Sequence, residues 1–266
     1  ISLSTMIGTA SFGFYADTSD TNTVTQSYLW GGSNGVNLGV NADYNTISLS
    51  TMIGGVSNGF YAIGADSNTI TQSVMRGNGH GAALWTNADR NSISLSTMIG
   101  VGTYGIYIVG SDSNIVTRSY LQGGNSGAVL DTGSDYNTIS LSTMFGNTTT
   151  GLWVTTADSN TVTQSFMSGA TYGAYLNTGA DRNTISLSTM IGIANYGWLV
   201  SASDTNTVTQ SYMSGVYGAF LNSNSDYNTI SLSTMIGSTY GLYTTFADSN
   251  SVSQSLSSGS ARGVWL

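Results

Sequence analysis

Asn45-Thr46-Ile47-Ser48-Leu49-Ser50-Thr51-Met52-Ile53-Gly54 is the stretch that decides the fold, because the phrase inside it, Ile-Ser-Leu-Ser-Thr-Met-Ile-Gly, recurs along the whole chain. It begins at Ile1, Ile47, Ile93, Ile185 and Ile230, and again at Ile139 with Phe145 in place of its second isoleucine. A related phrase, of the type Val-Thr-Gln-Ser-Tyr-Met-Ser-Gly, starts halfway between, at Val24, Ile70, Val116, Val162, Val208 and Val252. Both share one frame, so the unit is 23 residues long, shortened to 22 in the last two complete steps. Such a period means that one unit's structure accounts for all eleven complete units and the partial twelfth.

Inside a unit the pattern has the period of strands rather than helices. Asn45-Thr46-Ile47-Ser48 alternates polar and apolar, Ser50 and Met52 follow a bend, and Gly54 leads through a loop to Gly59-Phe60-Tyr61-Ala62. Asp66-Ser67-Asn68 then opens the next unit. Two glycine slots are filled in every unit, the first from Gly8 to Gly259 and the second from Gly13 to Gly263, and they read as corners. A long gap between the two glycines is followed by a short stretch to the Asp, which keeps each coil in register with its neighbours. All nine methionines (Met6, Met52, Met75, Met98, Met144, Met167, Met190, Met213, Met235) share one slot, which reads as a buried column.

Units this short bury an apolar side only by stacking, so residues 1–266 read as one all-β solenoid of about twelve coils. At the strand spacing of ~4.8 Å it forms a rod roughly 50 Å long. The Asn-Thr-Ile-Ser and Gly-Phe-Tyr-Ala pieces resemble the generic coil of right-handed parallel β-helix repeat proteins of the pectin-lyase-like class. That resemblance implies a right-handed helix with three sheets per turn. It leaves function open, because the class includes polysaccharide lyases, surface adhesins, autotransporter stalks and phage spikes. The chain opens on Ile1 inside a repeat, so it reads as a segment of a longer repeat protein, with any secretion signal or anchor outside it.

Composition removes several chemistries. There is no Cys, and therefore no disulfide, zinc-thiolate site or cysteine nucleophile. Charged residues are 7% of the chain, with 13 Asp against 5 Arg, no Lys, and a net charge of -8, which excludes a basic footprint for nucleic acid. No apolar run is long enough for membrane insertion.

Eleven of the acids lie in one Asp-x-Asn column, from Asp20 through Asp43, Asp66 and Asp89 to Asp248. Stacked carboxylates repel by ~1 kcal/mol at solvent-like dielectric, so the column needs compensation. Asx turns with backbone N–H groups, and Asn amides bonding along the column, supply it. A row of calcium ions is the alternative, but it lacks the extra acids a tight site wants; no metal and no cofactor are expected. The hydroxyls of Thr23 and Thr25, Thr46 and Ser48, Thr69 and Thr71, Thr161 and Thr163, and Thr207 and Thr209 form an array that resembles the ice-binding face of β-solenoid antifreeze proteins. Ile115 interrupts it.

The least generic feature is an aromatic column. The residue after the inward aliphatic that follows the second glycine points outward, and in eight of twelve units it is aromatic: Tyr15, Tyr61, Tyr107, Trp153, Tyr175, Phe220, Tyr243 and Trp265. This column reads either as cross-strand packing that shields the sheet or as a ligand or assembly surface for sugar rings or a second rod. A two-coil alternation, Leu49-Thr51-Ile53 against Gln72-Val74-Arg76 and Tyr44, Arg90, Tyr136, Arg182, Tyr227 against Ser or Thr, suits side-by-side association. Unpaired strand edges at the ends suit end-to-end association.

No catalytic residues are assigned. His80 lies in a glycine-rich loop with Arg76, Asp89 and Arg90 in the same coil, yet Asp89 and Arg90 fill ordinary repeat slots, and the off-column acids Asp17 and Asp131 are five coils apart. The expected protein is therefore a structural or adhesive solenoid, not an enzyme, secreted or at the cell surface. A carbohydrate-binding or carbohydrate-processing β-helix is the alternative, and an ice-binding solenoid the third reading.

Overall fold

The computed structural model describes residues 1–266. Each coil carries three short strands, such as Thr46–Ser48, Thr51–Gly54 and Phe60–Ile63 in the third coil. Strands pair in parallel only with their counterparts one coil away, so Ile47 lies beside Val24 and Ile70, and Met52 beside Leu29 and Met75. The first strands form an 11-stranded sheet. The second and third columns merge into a 22-stranded one, because single strands run through both in two late coils, Tyr212–Asn222 and Thr234–Thr245.

The tube is filled by stacked like residues. Met52, Met75 and Met98 are consecutive neighbours and fully buried, and Met144 to Met235 continue the row after Leu121. Where one coil inserts a large group, its neighbours are small: Trp198 lies in the core between Ala174 and Ala219. This alternation of size lets a large ring fit in the tube without crowding its neighbours.

The turns follow from where the backbone groups point. In a parallel stack N–H and C=O lie along the rod axis, so a corner can satisfy them only from the coil above or below. At the Asp-x-Asn corner Asp66 N donates to Asp43 Oδ1 (2.7 Å) and Asn68 N donates to Asn91 Oδ1 (2.8 Å), stitching the coil in both directions. The Asp column thus makes inter-coil ladders in place of the Asx turns expected within each coil. A serine ladder does the same at the next corner, with Ser50 N donating to Ser73 Oγ (3.1 Å) and Ser73 Oγ to Thr71 O (2.8 Å).

The glycines have a different role from the one read in the sequence. The corners turn through the left-handed region at non-glycine residues: Leu49 (φ 51°), Gln72 (φ 49°) and Leu95 (φ 50°) after the first strand, and Tyr44, Ser67 and Arg90 (φ 55°, 57° and 55°) inside Asp-x-Asn. The two glycine slots are fixed by crowding instead. A Cβ on Gly173 would stand 2.5 Å from both Gly197 O and Ile191 N, so the chain folds flat onto itself there.

Gly173→Ala is therefore expected to destabilise by about 1–3 kcal/mol, the range for overpacking. Leu95→Gly, which places the unstrained residue at a left-handed corner, is expected to change stability by under ~1 kcal/mol. Urea unfolding of the two variants checks the pair.

Candidate functional site

The third strand column presents the aromatic face. Its alternation is as read: Leu152 and Val154 point into the core, Trp153 and Thr155 outward. The eight expected aromatics occupy one register row; Tyr15 is exposed, and the other seven are half-buried by neighbouring side chains. Tyr15 packs on Phe12 away from the rest, and Tyr61 meets Trp85, which in turn meets Tyr107. From Trp153 onward the rings are continuous.

That continuity comes from a second row absent from the sequence reading. Tyr172, Tyr196, Tyr217 and Tyr240 stand in register on consecutive coils, each immediately before the second glycine. Their ring centroids are 5.6, 5.0 and 5.4 Å apart. They interlock with the first row through Tyr172–Tyr175, Tyr196–Phe220 and Tyr240–Trp265. The recurring Tyr-Gly dipeptide was the available signal. Beside the first row runs a third, of neutral hydrogen-bonding residues: Thr155, Asn177, Ser201, Asn222 and Thr245. Asn177 Oδ1 accepts from Trp153 Nε1 (2.9 Å), which fixes the indole. A groove of about 150 Å³ between Asn125, Thr150, Trp153, Tyr172 and Tyr175 opens the strip. The larger hollow, about 360 Å³, is the interior of the last coil, lined by Leu221, Leu242, Val252 and Leu266, and lies off this face.

A titratable cluster precedes the strip. His80 Nδ1 shares a hydrogen bond with Thr103 Oγ1 (2.7 Å), and the imidazole stacks on Tyr104 and Tyr107, each centroid 5.1 Å away. The Tyr107 hydroxyl donates to Asp131 Oδ2 (2.7 Å), and Thr132 N donates to Asp131 Oδ1 (2.7 Å). Asp131, remote from Asp17, is thus one coil from Tyr107. Arg76, Asp89 and Arg90 make no hydrogen bond or ion pair with His80, and Arg90 pairs with Asp66 at the opposite corner. Burial lowers the His80 pKa to about 4, so the ring is neutral at neutral pH. Burial, then the bond to Asp131, raises the Tyr107 phenol, and burial likewise raises Tyr61, Tyr104, Tyr175 and Tyr196.

The hydroxyls of the first strand column bond to each other across pairs of coils, Ser48 to Thr25, Ser94 to Thr71 and Ser140 to Thr117, at 2.9 to 3.0 Å. They act as inter-coil links.

A profile of the right-handed β-helix region matches residues 12–167, 58–213 and 105–257. The chain belongs to the right-handed β-helix family. No curated protein sequence is significantly similar to this β-helix. Among solved structures it resembles the A-module of the Azotobacter vinelandii mannuronan C-5 epimerase AlgE4, with a TM-score of 0.52 and 12% identity over 98% of this chain and 88% of that one. The corresponding AlgE6 module gives 0.51 and 13%, over 92% and 75%. The tailspike of Pseudomonas phage phi297 gives 0.46 and 10%, over 92% of this chain and 48% of its own. At these identities the likeness is one of fold. It nevertheless corrects one expectation from the sequence, that this β-helix is not an enzyme. Two structures that share its architecture over nearly the whole chain are modules of enzymes, so the lack of a clustered acid and base site legible in the sequence, on which that expectation rested, does not exclude catalysis.

The neutral state of His80 sets a pH dependence. With a folded pKa of about 4 against 6.5 unfolded, the unfolded chain takes up a proton that the folded one refuses as pH falls through that window, and stability is lost. His80→Gln is expected to flatten the stability difference between pH 7 and pH 4.5 in urea unfolding, the carboxylates being common to both proteins.

Proposed function

We propose that the third-strand face binds a linear polysaccharide laid along the rod. The observation that carries this is the unbroken strip of nine rings, Trp153, Tyr172, Tyr175, Tyr196, Tyr217, Phe220, Tyr240, Tyr243 and Trp265. The core does not require it, since these side chains lie outside the tube. Aromatic faces with polar tips suit a ligand that is apolar on its ring faces and polar at its edges, which describes a pyranose. The rows run parallel to the axis, and the coil spacing of ~4.8 Å is close to the length of one pyranose residue in an extended chain. Polymer and solenoid therefore share a repeat. The fold's occurrence in proteins named for action on mannuronan supports a polysaccharide ligand as a class, and says nothing of the charge of the chain this face takes.

A face of this kind serves a secreted or surface-displayed protein, where polysaccharide is met as long chains. An adhesive role is the same contact seen from the cell's side.

Affinity electrophoresis against a panel of neutral and acidic polysaccharides tests the reading. At least one polymer is expected to retard the protein. The double variant Tyr196→Ala/Tyr217→Ala, with unchanged unfolding behaviour, is expected to weaken that retardation about tenfold or more, since each aromatic contact contributes roughly 0.5–1.5 kcal/mol beyond its area. Equal retardation of variant and parent, or none by any polymer, overturns it.

A further inference from the structure

We infer that the polymer held by this face is a neutral, hydroxyl-rich polysaccharide, and that polyuronates are excluded. The inference rests on the binding reading above and concerns which class of chain the strip accepts.

The first ground is where the cations are. The chain has five arginines and no lysine. Arg76 and Arg118 lie on the second strand column and the corner before it, while Arg90 and Arg182 sit at the Asp-x-Asn corner and pair with Asp66 and Asp158. Only Arg262 reaches the aromatic strip, at its far end, where its guanidinium lies 3.8 Å above the Trp265 ring. On the third-strand face itself, from Trp153 to Tyr243, no side chain offers a positive charge. A uronate polymer carries one carboxylate per residue, and each laid against these rings would lose water and gain no counter-charge.

The second ground is the row flanking the rings. Thr155, Asn177, Ser201, Asn222 and Thr245 offer hydroxyls and carboxamides, which both donate and accept. A sugar hydroxyl also does both, whereas a carboxylate only accepts. Asn177 spends its oxygen on Trp153, which leaves its amide hydrogens for a ligand acceptor.

The third ground is Asp131. It occupies the flanking row one step before Thr155, and Tyr107 and Thr132 hold its carboxylate in place with hydrogen bonds to both oxygens. A fixed negative charge stands where a chain leaving the strip would pass, and it repels a polyanion while accepting from a neutral sugar. The neutral rings of His80, Tyr104 and Tyr107 beside it bring no offsetting charge.

The test compares retardation by neutral polymers (a β-glucan, a mannan and a galactomannan) with retardation by alginate and polygalacturonate, each with and without calcium. A neutral polymer is expected to bind, and the polyuronates to fail in both calcium conditions. Ser201→Arg and, separately, Thr245→Arg place a cation on the flanking row and are expected to raise polyuronate affinity about tenfold or more. Asp131→Asn is expected to raise it less. Polyuronate retardation as strong as that by neutral polymers, calcium-dependent or not, overturns the assignment and leaves polysaccharide binding standing. Failure of every polymer overturns both, and arginine variants that fold but gain nothing count against the assignment alone.

Discussion

The backbone hydrogen-bond groups of this protein point along the rod, and every coil must find its partners in the coils on either side. Strands meet that condition through parallel ladders. Corners meet it less easily, because a turning chain exposes N–H groups that no carbonyl reaches. Here side chains complete the ladders. Asp oxygens accept from the following coil, Asn oxygens from the preceding one, and serine hydroxyls from the preceding one at the next corner. The acidic column that the charge count presents as a liability is therefore made, from Asp20 to Asp226, of acceptors already engaged, and a charge-assisted bond to each of these carboxylates offsets the repulsion between neighbours.

That constraint also explains what the sequence disclosed and what it concealed. The period, the methionine row and the outward position of Tyr107, Trp153 and Tyr175 were legible because strand alternation and stacking are local rules repeated many times. The left-handed corners were not, because Leu49 and Gln72 are not residues that advertise a positive φ, and the glycines that do advertise it are held by close backbone approach at positions such as Gly173. The tyrosine row was hidden in the same way. Tyr172, Tyr196, Tyr217 and Tyr240 each stand three residues before the first-row position on the same strand, an odd spacing that period-two alternation assigns to the opposite side. Contacts across coils were hidden too: Asp131 is 24 residues from Tyr107 in the chain, yet its carboxylate accepts a hydrogen bond directly from the Tyr107 phenol.

The surface divides by function as the interior does not. First-strand hydroxyls link coils, and the second column alternates apolar and polar residues with a two-coil period. The third gathers the rings, the neutral hydrogen-bonding row and Asp131 in the grip of the Tyr107 phenol. The family accounts for the scaffold alone. The proposed recognition depends on residues the scaffold does not require, and catalysis on such a scaffold is a matter for particular residues rather than for the fold.

Native-state hydrogen exchange of the corner amides tests the central claim most directly. The backbone N–H groups of Asn91, Asn114, Ser96 and Asp112 donate only to side chains of adjacent coils. If those ladders hold the stack, these amides exchange as slowly as the strand amides of Ile93 and Val116, opening only when neighbouring coils separate. Exchange as fast as that of the exposed loop residue Thr148 would contradict the account, because the coils would then be held by strand pairing alone.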